Sequence, residues 1–430
     1  MSEQAATASL GDVAPARSRQ QGRRSAVTLS DGLAVVGTAD GELVGLDVTG
    51  TGPPVERWRR SVADAPSVVA AIPFGGGVHS GGGRRCASPS TGGVVLGERS
   101  ACGTVRRHDR DGSVRWQYDT RADVGEPRSD TRFLLPFVAS LATDGDQLYA
   151  AARRYERRPD SETERHFESV VYAFDPDGRV TWTYRTDASP ISLTVRGDRL
   201  AVAYNRCPGD HQQGLVVLDT ADGTPRWTWD PGTDGQRRVG DVALLPDGAV
   251  VTSHGDYRGY RLADGGTERW RQPLAMPRAV DKERVYAYPN HVHATGSGAV
   301  FVTGNTYPED GRETAVRHPE EHTAVGVSPG GNRRWTGDVG GFASGLGAAG
   351  DLLAVPGAQH FRDRDADCHG LRLFDVEDGP VETIESEGIV TAAAVADDTV
   401  VAVEEPVVYH DEGCERGAYR LHRWSVATGG

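Results

Sequence analysis

Lysine is almost absent from this sequence: of 47 basic residues only Lys282 is a lysine, and the rest are arginine. Aromatic residues are sparse at 7%, and no run of ~18 apolar residues occurs, which excludes a transmembrane helix and leaves a soluble chain as the expectation. The five cysteines, Cys86, Cys102, Cys207, Cys368 and Cys414, are never adjacent and are odd in number. They exclude a fully paired disulfide framework and fit a reducing cytoplasm. A long basic stripe is missing too, so duplex nucleic acid is not an expected partner. What is abundant is acid: 61 carboxylates give a net charge of −14.

That acidic, arginine-for-lysine balance resembles proteins of halophilic archaea. A carboxylate-dense surface stays hydrated in molar salt, where a Debye length of ~3 Å screens its self-repulsion. Near the N-terminus Arg23-Arg24 begins like a twin-arginine export signal, but Asp31-Gly32 interrupts the apolar segment that must follow. Residues 1–24 therefore read as a polar arm, and residues 25–430 as one domain.

Glycine (55) and proline (24) punctuate the chain at a regular period. A strand ending in Asp, a Gly-containing turn and then Trp recurs: LVGLDVTGTGPPVERW ends at Trp58, TVRRHDRDGSVRW at Trp116 and VVYAFDPDGRVTW at Trp182. LVVLDTADGTPRW ends at Trp227, and further copies end at Trp270 and Trp335. The copy around Asp375 lacks the Trp, and the chain closes on YRLHRWSVATGG with Trp424. Each copy follows a second apolar run such as RLAVAY at 199–204 or AVFVTG at 299–304, and a shorter first run precedes that. Four strands per unit and eight units predict an all-β fold, an eight-bladed propeller of four-stranded antiparallel blades. The tryptophans are expected to dock blade on blade. The last copy ends on a third strand, so the arm, within Ala5 to Ala16, is expected to supply the fourth and close the ring.

The strand-Asp-x-x-x-Gly-x-x-x-Trp arrangement resembles the tryptophan-docking repeat of the pyrroloquinoline-quinone-repeat family. Its members include quinoprotein dehydrogenases and the propeller assembly factors of bacterial outer membranes. In the dehydrogenases the quinone lies under a disulfide between adjacent cysteines; this chain has none, and no position carries over as a quinone ligand. The assembly factors are lipidated on an N-terminal cysteine that this chain lacks, so their partner does not carry over. The resemblance implies a non-catalytic platform with no expected cofactor.

In a four-stranded antiparallel meander the loops joining second to third strands share one face with the crossings between blades. Here these are 97–103, 153–169, 205–214, 253–259, 305–323, 358–370 and 405–417, and they hold four of the five cysteines and eight of 13 histidines. The favoured function is an intracellular scaffold binding a protein through this face. The alternative is a metal-dependent or redox site there, with zinc or iron held by Cys207, His211, His254, His360, Cys368, His369, His410 and Cys414. The stretch from His318 to His322 looks like a helical metal motif but is interrupted by Pro319. His291 and His293 alternate on one first strand, where a neighbouring blade's backbone is expected to satisfy them, the alternative being that they add axial ligands.

Overall fold

A computed structural model describes residues 6–17, 25–61, 68–74, 93–98, 103–126, 137–157, 165–311, 314–360, 362–364, 366–409 and 412–426. Among these, helix is confined to Arg121–Val124 and a 3-10 turn at Ala366–Cys368. The described strands form eight antiparallel sheets of four or five strands and one small three-stranded sheet. Seven of the eight run in chain order, at residues 26–61, 68–119, 137–186, 189–229, 239–273, 278–338 and 347–384. First strands pack side by side around an axis, and Ala26–Ser30 touches both Val68–Phe74 and Ile389–Ala396. The fold is a β-propeller, as the repeat predicts.

Burial follows from having a neighbour on both faces of each blade. In the second strand Arg199–Arg206, every residue from Leu200 to Tyr204 is fully buried, so the run is continuously apolar instead of alternating. Outer fourth strands such as Glu268–Pro273 are half-buried to exposed along their length.

The recurrent Trp and Gly are two halves of one joint. Trp58, Trp116, Trp182, Trp270 and Trp335 each donate their indole N–H to a carbonyl in the next blade: Arg110 (2.6 Å), Pro176 (3.2 Å), Thr220 (2.9 Å), Pro329 (2.9 Å) and Val376 (3.3 Å). Each ring lies over the turn glycine that follows that carbonyl. At Gly178, with φ of +84°, an added Cβ would stand 2.6 Å from the Trp116 ring. Glycine there meets two demands, a positive φ and a bare face. The motif Asp builds the same turn: Asp175 Oδ1 accepts from the backbone N–H groups of Asp177 and Arg179, both at 2.9 Å. In seven sheets the pairing of third and fourth strands slips by one residue beside this position, a bulge that adds local twist. Trp424 differs. It lies in the strand Arg420–Ser425, third in its repeat, and packs with Ala354, Leu371 and Leu373 of the preceding blade, not on a turn glycine.

The last sheet takes its fourth strand from the other end of the chain. Ala6–Ser9 pairs antiparallel with Arg420–Ser425, with Ala6 opposite Arg423 and Ser9 opposite Arg420. Leu10 N–H then donates to the Tyr419 carbonyl at 3.0 Å, and Ala16–Arg17 runs parallel to Val407–Val408. Leu10 and Ala16 are buried, so the arm packs as well as pairs.

Candidate functional site

The first strands enclose an axial cavity of about 830 Å³, lined by residues of most blades, among them Val27, Leu141, Leu193, Val242, Val292 and Ala393. Its shape toward the loop-rich face comes from bulges. Pairing of first and second strands skips Ala139, Ile191, Gly240 and Asn290, and all four line the cavity. A residue left out of the ladder is re-aimed, here toward the axis.

At that mouth the lining turns polar and aromatic, with Asn205, Arg237, His254, Tyr288 and Tyr307. Arg237 lies 4.5 Å above the Tyr288 ring, a cation–π contact. Tyr257, Tyr286, Tyr288 and Tyr307 form one cluster with ring centroids 4.6 to 6.0 Å apart, and Tyr307 is 39% exposed. Arg206 stands opposite Arg237 across an isolated antiparallel bridge. Burial and the like charges of Arg237 and Arg165 pull the Arg206 guanidinium down to about 10. His254 is only 5% exposed and neither ring nitrogen has a well-aligned hydrogen-bond partner. Burial first, then Arg237, His291 and Arg206, lower it to about 3, the Pro289 carbonyl opposing them. The imidazole is therefore neutral.

Seven of the eight candidate ligands lie among the described residues. Cys207 is buried with Sγ 3.6 Å from the Gln213 carbonyl, and burial raises its thiol to about 12. His211 gives its Nε2–H to that same carbonyl at 2.9 Å and packs on Tyr204. His369 is fully buried between the Glu387 carbonyl (3.0 Å from Nδ1) and the Tyr409 hydroxyl (2.7 Å from Nε2). Cys368 ends the 3-10 turn, Cys414 is exposed beside Glu412, and His254 faces the cavity. His410, like Cys86 and Cys102, lies outside the described residues. His291 and His293 meet the neighbouring blade's backbone, at the carbonyls of Ala343 (3.0 Å) and Gly350 (2.8 Å).

Of the eight, His360 alone joins a grouping with metal-ligand spacing among the described residues, and its companions are Glu321 and His322, with ligand atoms within 4.8 Å of one another. His322 belongs to the Pro319-interrupted stretch, so that motif contributes through a loop, not a helix. Local chemistry fills the space. Arg362 Nη1 contacts both Glu321 carboxylate oxygens, at 3.0 and 2.8 Å, and Thr306 donates to one of them. Burial pushes the Glu321 carboxyl up, but Thr306 and the surrounding positive charge hold it below its usual range. His360 Nδ1 accepts the N–H groups of Arg362 and Asp363 at 3.2 and 3.0 Å. The proton of the neutral ring then sits on Nε2, facing Glu321 Oε1 at 3.4 Å. A cation here must displace both that proton and the Arg362 guanidinium. His322 Nε2 bonds Asn305 Oδ1 at 2.8 Å, and its Nδ1 is buried without a partner.

Residues 101–382, about two thirds of the chain, match the PQQ-repeat family described as outer membrane protein assembly factor BamB. The chain belongs to this family. No curated protein matches it significantly. Among solved structures, Sqt1 from Saccharomyces cerevisiae is 11% identical, with all of both chains covered and a TM-score of 0.57. A europium-containing methanol dehydrogenase is 10% identical over 98% of this chain and 92% of its own, at a TM-score of 0.56. The computationally designed Ika8 protein is 12% identical over 96% and 99%, at 0.53. At such identities the likeness is one of fold. Membership in the BamB family accounts for the Trp–Gly joints, which hold blades together whatever the axis carries. The sequence pattern did not mark the cavity mouth, because Arg206, Arg237 and the tyrosines belong to no repeated position.

Proposed function

We propose that this chain is a non-catalytic β-propeller that binds another protein through its loop-rich face, with the cavity mouth as the contact. The observation that carries this reading is the cluster of Tyr257, Tyr286, Tyr288 and Tyr307 around Arg237, half-buried at its base and exposed at Tyr307. Tyrosine and arginine are enriched where interfaces draw most of their affinity, because each combines large contact area with a polar tip and loses little rotamer freedom. Histidines of the same face, His211 and His369, are spent on local backbone and hydroxyl groups, which favours a binding face over a catalytic one. Membership in a family described as an assembly factor agrees with this. A reducing, cytoplasmic setting is part of the proposal, supported by the free thiols of Cys207 and Cys414. Among the described residues no helix is long and apolar enough to cross a membrane.

The test is a partner-capture assay in lysate of the source cells. Substituting Tyr307→Ala together with Tyr286→Ala should reduce retention of a discrete partner at least tenfold, while the melting temperature stays within a few degrees. Equal retention by the variant would remove the cavity mouth from the interface.

A further inference from the structure

We propose that Arg206, Arg237 and His254 form a receptor for a side-chain carboxylate carried by an acidic protein segment that enters the mouth of the axial cavity. This rests on the protein-binding reading above and names the chemistry of the partner.

The first ground is an unresolved repulsion. Arg206 and Arg237 face one another across an antiparallel bridge, where like charges directly opposite are destabilising. Neither makes an ion pair with a described carboxylate. The adjacent Arg238 is provided for: it pairs with Asp230 at 2.8 Å. In a chain of net charge −14, two adjacent arginines without an ion pair to any described carboxylate stand out. An anion between them removes the repulsion and gains two charge-assisted contacts.

The second ground is independent of charge. His254 is 95% buried, lines the cavity, and has no well-aligned hydrogen-bond partner at either ring nitrogen, with the Pro289 carbonyl beside it. Asn205 Oδ1, also at the cavity wall, is buried without a partner as well. A buried polar atom left so calls for a group, such as a ligand or a water, that meets it. A neutral imidazole offers one N–H to an oxygen acceptor. The guanidinium groups exclude a metal ion from the same place, and their planar fork matches a carboxylate.

The third ground selects the carrier. Tyr288 and Tyr307 line the mouth, and Arg237 is already held against the Tyr288 face, so its guanidinium is preorganised. Contacts from residues flanking the carboxylate, made on the tyrosines, supply what a free dicarboxylate cannot.

The experiment is titration calorimetry of the full chain, in the salt that maintains its fold, with two probes: a hexaglutamate peptide and succinate. Hexaglutamate is expected to bind, and Arg206→Gln and Arg237→Gln each to weaken it at least tenfold. Arg206→Gln is also expected to raise the melting temperature of the unliganded protein, because it relieves the bridge. Absence of hexaglutamate binding, or binding indifferent to both substitutions, overturns the proposal. Succinate binding as tightly as the peptide overturns the assignment to a protein segment and makes this a small-acid site. If partner capture depends on Tyr307 and Tyr286 but survives both arginine substitutions, this inference fails while the protein-binding reading stands. Capture indifferent to the tyrosines as well removes that reading too.

Discussion

The indole N–H of Trp182 donates to the carbonyl of Thr220 at 2.9 Å, across the seam from one blade to the next. Trp227 holds the equivalent place one blade on and lies over Gly266, yet its indole nitrogen is buried without a partner. The pair is a natural control for what the hydrogen bond adds to packing. Trp182→Phe should cost more than Trp227→Phe by about 1 kcal/mol, the net worth of one such bond. Trp182→Ala should cost roughly 3–5 kcal/mol. Chemical denaturation of the three variants measures this, and equal costs for the two phenylalanine variants would mean that packing alone holds the seams.

Closure by the N-terminal strand makes a different claim. Deleting residues 1–20 removes the strand Ala6–Ser9 and the buried Leu10 and Ala16. It leaves Arg420–Ser425 as an open edge. The melting temperature should fall by several degrees, and adding the excised peptide back should restore part of it. An unchanged melt would show that the pairing contributes nothing to stability.

Acid sensitivity should trace to buried neutral histidines. His254 and His322 are each lowered to about 3, by burial first, against an unfolded value of ~6.5. Between those values the unfolded chain binds protons that the folded chain refuses, so stability falls as pH drops from about 6.5 toward 3 and is unaffected above. At pH 5 each histidine should account for roughly 2 kcal/mol at most. His254→Gln should flatten the dependence in denaturant titrations from pH 7 to 4.5; an identical slope would show that His254 is not held neutral.

Thiol chemistry tests the loop cysteines. The Cys207 thiol is raised to about 12 and is buried, whereas Cys414 is exposed. Only the thiolate reacts. Alkylation at pH 8 should modify Cys414 quickly and Cys207 only on unfolding. Protein purified without chelator should carry substoichiometric zinc and iron, since Arg362 and the His360 proton hold the space between Glu321, His322 and His360. Stoichiometric metal lost on His322→Ala would contradict that account.

The fold was legible because its signals are local and repeated. Asp175, Gly178 and Trp116 each state a requirement of the turn or the seam, and the strand missing after Trp424 pointed to the arm. The candidate site was much less legible. Grouping cysteines and histidines by loop ignored how loops satisfy themselves: His211 bonds Gln213 two residues on, and His369 reaches the Glu387 carbonyl and Tyr409. Glu321 and His360 meet from loops of different blades, a pairing no spacing announces. The cavity mouth depends on bulges at Ile191 and Gly240, which alternation cannot show, and on a two-residue bridge between Arg206 and Arg237.

Binding of a protein at the loop-rich face is tested most directly by site-specific photo-cross-linking in the source cells. A benzophenone amino acid replaces Tyr307 at the cavity mouth in one variant. In another it replaces Asp222, which is exposed in a turn on the opposite face. The expected result is one discrete cross-linked protein from position 307 and none from position 222, with the Tyr307 product lost when Arg237→Gln is added. Equal cross-linking from both positions, or none from position 307, would contradict the assignment of this face as the interface.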